Sequence, residues 1–222
     1  NANDMIENYK DLALGAYLDI QRINEDESRE HIDRQVAILS VLTGKTEREL
    51  LNLPIAEYTD LATRADFLTK PAGKLPRPAD RYHLGAFDLV PIRDLRKVTT
   101  AQYIDFQTFA PDADAHLVEL LSVSLVPEGM TYNDGYDLAD VQAAIREHLS
   151  VQDALALVAD FFRRWLALTR ATLNSLDKEL KKADRIKDAT KRAKLQAEIV
   201  MRKKQLRTLS TPVGDGLRKW TS

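Results

Sequence analysis

The stretch SVQDALALVADFFRRWLALT, residues 150–169, predicts the central helix of the fold. Its apolar residues recur every three or four positions, as on one face of an α-helix, and Ser150 stands where a side chain can cap the first turn. The face is wide and carries two phenylalanines and a tryptophan, so we expect it to lie in the hydrophobic core. The residues of this predicted face are Ala154, Leu155, Val158, Phe161, Phe162, Trp165, Leu168 and Thr169.

Beyond this stretch, residues that break helices are missing. No glycine or proline occurs between Tyr136 and Thr211, which predicts that the C-terminal third is helical. Its last part is basic, because residues 178–207 hold twelve Lys or Arg and four Asp or Glu in a chain whose net charge is −2. We therefore expect an acidic body with a long basic C-terminal helix.

The basic segment permits two interpretations. A continuous helix over residues 176–208 would extend about 50 Å, whereas a break near Asp188 would make a helical hairpin. Its predicted apolar face consists of Ile186, Ala189, Ala193, Ala197 and Val200. The cations are expected to face solvent or an acidic partner, and nucleic acid ranks lower because no aromatic residues lie between them. The cations of this basic arm are Lys181, Lys182, Arg185, Lys187, Lys191, Arg192, Lys194, Arg202, Lys203, Lys204 and Arg207.

The fold class predicted for the whole chain is mainly α, with two helical halves. Residues 1–70 form the first helical unit, in which Thr46 and Glu49 have the spacing of a capping box. Residues 71–97 hold a proline-rich linker and a small β-hairpin near 82–93, residues 98–175 form the second helical unit, and residues 176–222 form the basic helix and tail. The second unit is expected to begin with a helix at Thr99 or Thr100.

A short sequence pattern occurs once in each half. YLDIQ at 17–21 is echoed by YIDFQ at 103–107, AILSVLTG at 37–44 by ELLSVSLVPEG at 119–129, and ADFL at 65–68 by ADFF at 159–162. Ordered echoes of this kind favour an internal duplication, although amphipathic helices also resemble one another by chance. The first echo supplies predicted partner-binding residues, which are Tyr17, Asp19, Gln21, Tyr103, Asp105 and Gln107. The competing interpretation is that these polar residues fix helix packing.

No catalytic or metal-binding pattern is found. TGKT at 43–46 resembles the end of a phosphate-binding loop, but the position five residues before Gly44 is Leu39, where the pattern requires glycine. The four histidines are scattered, the chain has no cysteine, and neither a nucleophile elbow nor a dinucleotide fingerprint occurs. We therefore expect a protein that is not an enzyme and that binds no metal or cofactor.

The helical pattern resembles that of a known protein family. QVAILSVLTGKTERELLNLPIAEYTDLATRADFL, residues 35–68, is similar to the signature of tailed-phage tail assembly chaperones: an apolar helix, an LTG turn, a short helix and a helix that closes on phenylalanine. LRKVTTAQYIDFQ at 95–107 and DALALVADFF at 153–162 resemble segments of phage structural-module proteins. The resemblance covers residues 12–68 and 95–165, and it implies a binding protein that holds tape-measure or tail-tube subunits before assembly.

Other functions remain open at the level of sequence. The protein could instead be a permanent virion component, such as a neck, head-completion or tail protein, or a nucleic-acid-binding regulator that uses the basic helix. No apolar run is long enough to span a membrane, and the N-terminal residues lack the order of a signal peptide. The expected location is therefore the cytoplasm of the bacterial host or the virion, and the expected partners are phage structural proteins or further copies of the chain.

Overall fold

The computed structural model describes residues 5–221, and side chains are described for residues 5–207. The helices are α1 (Leu14–Glu25), α2 (His31–Thr43), α3 (Glu47–Leu51), α4 (Ile55–Arg64), α5 (Thr100–Phe109), α6 (Leu117–Ser124), α7 (Leu138–His148), α8 (Val151–Ala183) and α9 (Ala189–Thr221). The strands are β1 (Tyr82–Leu84), β2 (Phe87–Pro91) and β3 (Leu125–Pro127), and 3₁₀ turns occupy Ala65–Thr69, Leu95–Lys97 and Ala110–Asp112.

The chain forms two compact units, and neither is continuous in sequence. The first unit combines residues 1–89 with 136–156, and the second combines residues 90–135 with 157–222. The two units are defined by which residues pack together, whereas the four predicted segments are defined by sequence composition. The boundaries of those segments therefore stay a prediction.

The first unit is held together by contacts between its N-terminal helices and the later part of the chain. α1 and α7 approach closely at Gly15, where an added Cβ would lie 2.8 Å from the backbone oxygen of Arg146. Just before α1, the backbone is paired with residues 149–151, because Leu14 N donates to Leu149 O at 2.8 Å and Val151 N to Leu12 O at 2.9 Å. The buried side chains of this region belong to Leu12, Ile20, Leu42 and Val151.

The short helix α3 follows directly from its local sequence. Thr46 Oγ1 accepts from Glu49 N, and the Glu49 carboxylate accepts from Thr46 N, so the predicted capping box is confirmed. Gly44, before it, has φ 67° and closes α2 by donating its N–H to Ser40 O. A left-handed glycine is the usual end of a helix, so the TGKT sequence forms a helix terminus.

The predicted β-hairpin is confirmed. β1 and β2 pair antiparallel, with Leu84 opposite Phe87, so that Gly85 and Ala86 form a two-residue turn. Gly85 has φ 58°, which suits the first position of a type II′ turn. In the described residues the sheet has the strand order β1-β2-β3.

The second unit is built on the helix that the opening stretch predicts. α8 begins with Ser150 Oγ accepting from Asp153 N at 3.1 Å, as expected for a cap. Of the predicted apolar face, only Leu168 is strongly exposed, with 37% of its surface accessible, while Phe162 is fully buried. α5 begins at Thr100 with a second capping box, between Thr99 and Gln102.

The basic C-terminal segment is a helical hairpin. α8 ends at Ala183, residues 184–188 turn, and α9 runs back along α8, since Gln196 Nε2 donates to Asp184 Oδ1 at 2.7 Å and Lys203 contacts Asp177. The interpretation with a break near Asp188 is therefore the observed one. The predicted apolar face is wrong at four of its five positions, because Ala189, Ala193, Ala197 and Val200 are exposed, and only Ile186 is half-buried. The less exposed positions of α9 are Arg192, Gln196, Ile199, Lys203 and Leu206.

The fold class is confirmed, since 65% of the chain is helical and the only sheet of the described residues is small. Each of the three sequence echoes has one copy in each compact unit. The copies differ locally, however: ADFL at 65–68 forms a 3₁₀ turn, whereas ADFF at 159–162 lies within α8. The duplication therefore stays a prediction. Within the described part of the chain, no helix has the length and apolarity to cross a membrane.

Candidate functional site

The first copy of the echo lies on α1 and takes part in packing. Tyr17 packs beside the core around Leu12, where burial raises its pKa, and its ring meets that of Tyr9 edge to face at 6.3 Å. Asp19 Oδ1 accepts from Arg146 on α7 at 2.7 Å and lies 3.3 Å from Arg22. Gln21 is partly buried. The geometry gives Asp19 an internal partner, and a role of these residues in binding another protein stays a prediction.

The second copy of the echo lies on α5 and differs from the first. Asp105 Oδ2 accepts from the Tyr132 hydroxyl at 2.8 Å. Tyr103 is 36% exposed and stacks on Trp165 at a ring-centroid distance of 5.8 Å. The Gln107 side-chain nitrogen is buried and has no hydrogen-bond partner within the described part of the chain. In this copy of the echo, two apolar side chains are therefore accessible: Tyr103 and its neighbour Ile104, which is 56% exposed.

The Tyr103 ring packs against a buried aromatic cluster through Trp165. Phe106 is fully buried, and its ring lies 4.4 Å from that of Trp165, 5.2 Å from that of Phe161 and 6.0 Å from that of Phe162. Ring pairs at these separations contribute about 0.5–1.5 kcal/mol each beyond their buried area. The cluster thus joins α5 firmly to α8 and fixes the position of the Tyr103 ring.

An open groove lies beside this cluster, entirely within the second unit. Its volume is about 360 Å³. One wall comes from the 3₁₀ turn and the start of α5, a second from α8 and a third from α9. The lining residues are Leu95, Val98, Thr99, Thr100 and Tyr103 on the first wall, Trp165, Leu168, Thr169 and Thr172 on α8, and Leu206 on α9. The groove offers apolar side chains with a few hydroxyl groups and suits an apolar ligand surface.

The predicted cations lie on both helices of the hairpin and in the turn between them. Lys203 hydrogen-bonds to Asp177 and thereby lowers the pKa of that carboxyl, and the charges of Arg207 and Lys181 lower the pKa further. Arg192 donates to Ile186 O at 3.2 Å across the turn, and Arg202 pairs with Glu198 at 2.6 Å. The predicted cations that are simply exposed include Lys181, Lys182, Arg185, Lys187, Lys191 and Lys194.

The sequence did not single out most of the groove. Leu168 and Trp165 were predicted to be core residues, and Leu95, Val98 and Leu206 were not predicted to have any role. The sequence shows that these residues are apolar, but it does not show that the three stretches of chain meet.

Among the described residues, no group of three or more histidines, aspartates and glutamates is arranged to hold a metal ion. The groove lining has hydroxyl groups from threonines and Tyr103 and no carboxylate or imidazole. A comparison of the chain with family models, curated proteins and solved structures finds no match.

Proposed function

We propose that this chain is a non-enzymatic phage assembly protein, a tail assembly chaperone that holds a helical segment of a tape-measure or tail-tube subunit. The observation that carries the proposal is the open apolar groove of the second unit, with Tyr103 and Leu168 exposed at its surface. An amphipathic client helix binds by laying its apolar face into such a groove. The protein acts in the bacterial cytoplasm and releases the client during assembly.

Two further features support this function. Leu168 belongs to the face of α8 that is otherwise buried, and its exposure of 37% leaves an apolar contact for a partner. The helical pattern of residues 35–68 resembles tail assembly chaperones, and residues 95–107, which supply one wall of the groove, resemble phage structural-module proteins.

Co-expression with the client tests the proposal. The chain is produced in bacteria together with the tape-measure or tail-tube protein of the same genome, and the soluble fraction of the client is measured after centrifugation. We expect the chain to raise that fraction several-fold and Leu168→Asp to abolish the gain. Leu195→Asp is the matched control, because Leu195 on α9 has the same exposure of 37% but does not line the groove.

Two results would contradict the proposal: a client whose solubility does not change, or a Leu168→Asp variant as effective as Leu195→Asp. Mass spectrometry of purified phage particles distinguishes the chaperone from the alternative, a permanent virion component. A chaperone is absent from the particles, whereas a virion component is present in fixed stoichiometry.

A further inference from the structure

The bend between α1 and α2 carries four exposed acids. They are Glu25, Glu27, Glu30 and Asp33. Among the described residues, none of their side chains forms a hydrogen bond or a salt bridge. Ile32, which adjoins Asp33 at the start of α2, has 50% of its surface accessible. We call these five residues the acidic bend.

The arginines of the same segment compensate only part of this negative charge. Arg29 lies 3.4 Å from Asp26 and 3.4 Å from Glu47, so its charge is shared between two other acids. Arg34 is half-buried and donates to a backbone oxygen at 3.2 Å. Residues 22–34 together hold five acids and three arginines. A negative surplus therefore remains at the acidic bend.

A basic face lies on one side of the hairpin of α8 and α9. The spacings of its α9 residues are three, four and seven from the first member, so they share one side of the helix. Lys203, one of them, contacts Asp177 on α8, and Lys181 is on the same side of α8 because it follows Asp177 by four residues. The basic face consists of Lys181, Val200, Lys203, Lys204 and Arg207.

Acids neutralise only part of the positive charge on this side of the hairpin. Asp177 lies on it, and so does Asp184, which follows seven residues later, so the described side chains there include four cations and two acids. Glu179 follows Asp177 by two residues and is therefore about 200° round α8. By the same spacing, Glu198 lies two residues before the first member of the basic face on α9. Asp188 belongs to the turn between the helices.

The basic face and the acidic bend also match in their apolar side chains. Val200 is 56% exposed, and Met201, the next residue, is 59% exposed. Residues 176–207 contain no aromatic side chain that could stack on nucleic-acid bases. The surface therefore suits a protein segment in which acids surround an apolar side chain. The acidic bend has this composition, with Ile32 among four exposed carboxylates.

We propose that copies of the chain associate with one another, the acidic bend of one copy binding the basic face of another. Ile32 then covers Val200 and Met201, and the carboxylates of the bend meet Lys181 and Lys204. The contact joins two different surfaces, and its charges make it sensitive to salt. This inference goes beyond the proposed function and does not depend on it, because neither surface contains a residue that lines the groove.

Sedimentation equilibrium of the full chain tests the association. The weight-average mass is measured at increasing protein concentration, in about 0.02 M and about 0.5 M salt. We expect the mass to rise above the 25.1 kDa of one chain at low salt and to return towards that value at high salt, where the charges are screened.

Charge-reversed variants test the pairing of the two surfaces. Glu25→Lys with Glu27→Lys reverses the acidic bend, and Lys181→Glu with Lys204→Glu reverses the basic face. Each double variant alone is expected to associate at least about ten-fold more weakly, because like charges then meet. An equal mixture of the two variants is expected to associate again, because each reversed surface finds an opposite one on the other variant.

Two control variants make the same changes of net charge elsewhere. Glu57→Lys with Glu147→Lys matches the reversed bend, and Lys10→Glu with Lys74→Glu matches the reversed face. All four positions are exposed and lie outside both surfaces. Each control is expected to alter the association less than about two-fold. Circular dichroism confirms that every variant is folded.

Three results would overturn the inference. The first is a wild-type chain that keeps the mass of one copy at low salt, including one that instead binds a short DNA duplex through Lys181 and Lys204. The second is an association that persists in both reversed variants, since other surfaces would then carry it. The third is an association that each reversal abolishes and the mixture does not restore, since the two surfaces would then not bind each other.

Discussion

Two glutamines on α5 have opposite environments. Gln102 is 2% exposed, and both polar atoms of its side chain are hydrogen-bonded, since Oε1 accepts from Thr99 N and Nε2 donates to Val123 O, both at 3.0 Å. Gln107 has a buried side-chain nitrogen with no partner among the described residues. A hydrogen bond made on folding contributes about 1 kcal/mol, whereas a buried polar group without a partner costs about 1–3 kcal/mol.

Replacing each glutamine by methionine, which is similar in volume, should therefore give different results. Gln102→Met leaves two backbone groups without their partner and is expected to lower the free energy of unfolding by about 1–3 kcal/mol. Gln107→Met removes an unpaired polar group and is expected to be neutral or stabilising. Urea denaturation of both variants measures the difference. Equal losses would mean that Gln107 makes a stabilising contact in solution.

Asp94 has a strongly lowered pKa close to the groove. Hydrogen bonds from the side chain and the backbone of Arg96 lower the pKa of Asp94 from its ordinary 3.8 to about 2. A lowered folded-state pKa stabilises the protein above the unfolded-state value, and this stabilisation is lost as pH falls from about 3.8 towards 2.

The Arg96 side chain is the largest cause of this shift. We therefore expect Arg96→Gln to raise the pKa of Asp94 towards 3.8, without reaching it because the backbone hydrogen bond remains. Lys97→Gln should raise the pKa less, since Lys97 acts only through its charge. Carboxyl chemical shifts followed by NMR across the acid range give each value. A larger effect of Lys97→Gln would contradict this assignment.

At the residue scale, the sequence predicts helix caps better than it predicts hydrogen bonds between residues that are distant in the chain. Ser150 and Thr46 were predicted as caps because a cap acts within three residues. The identical aspartates of the echo could not be given their partners, since Arg146 lies 127 residues from Asp19 and Tyr132 lies 27 residues from Asp105. Such contacts depend on packing that a periodic pattern does not specify.

At the scale of elements, the hairpin of α8 and α9 has an unusually polar seam. The less exposed positions of α9 are spaced four and three apart, as in a coiled coil, but only Ile199 and Leu206 among them are apolar. The spacing of the alanines predicted a different buried face. That prediction failed because alanine is a good helix former and therefore also occurs at exposed positions of a helix. The sequence around Asp188 holds no glycine or proline that would mark a turn. The turn at 184–188 was therefore predicted only as one of two interpretations.

The hairpin makes a measurable prediction for distance. The chain has no cysteine, so cysteines introduced at the exposed positions Lys178 and Gln205 can carry spin labels. A continuous helix would place these positions about 40 Å apart, whereas two adjacent antiparallel helices place the labels less than about 25 Å apart. We expect the short distance in pulsed electron resonance. A distribution centred near 40 Å would contradict the hairpin.

At the scale of the whole molecule, the helical class and the β-hairpin were predictable, and the composition of the compact units was not. Periodicity specifies which faces are buried but not which other segment covers them. Residues 136–156 belong with the first 89 residues because their backbone pairs with the start of α1, through Leu149 and Val151. No feature of the intervening sequence indicates that return.

The first unit is therefore expected to need its distant segment in order to fold. A fragment of residues 1–89 lacks the partner of Leu14 N and the buried Val151 side chain, so it loses backbone hydrogen bonds and part of the core around Leu12. We expect its NMR amide spectrum to be poorly dispersed. A second fragment, in which residues 1–89 and 136–156 are joined by a flexible Gly/Ser linker, should give dispersed signals and cooperative thermal unfolding, because loop closure costs little compared with the restored packing. If residues 1–89 alone unfold as cooperatively as the linked fragment, the later segment only covers a unit that is stable without it.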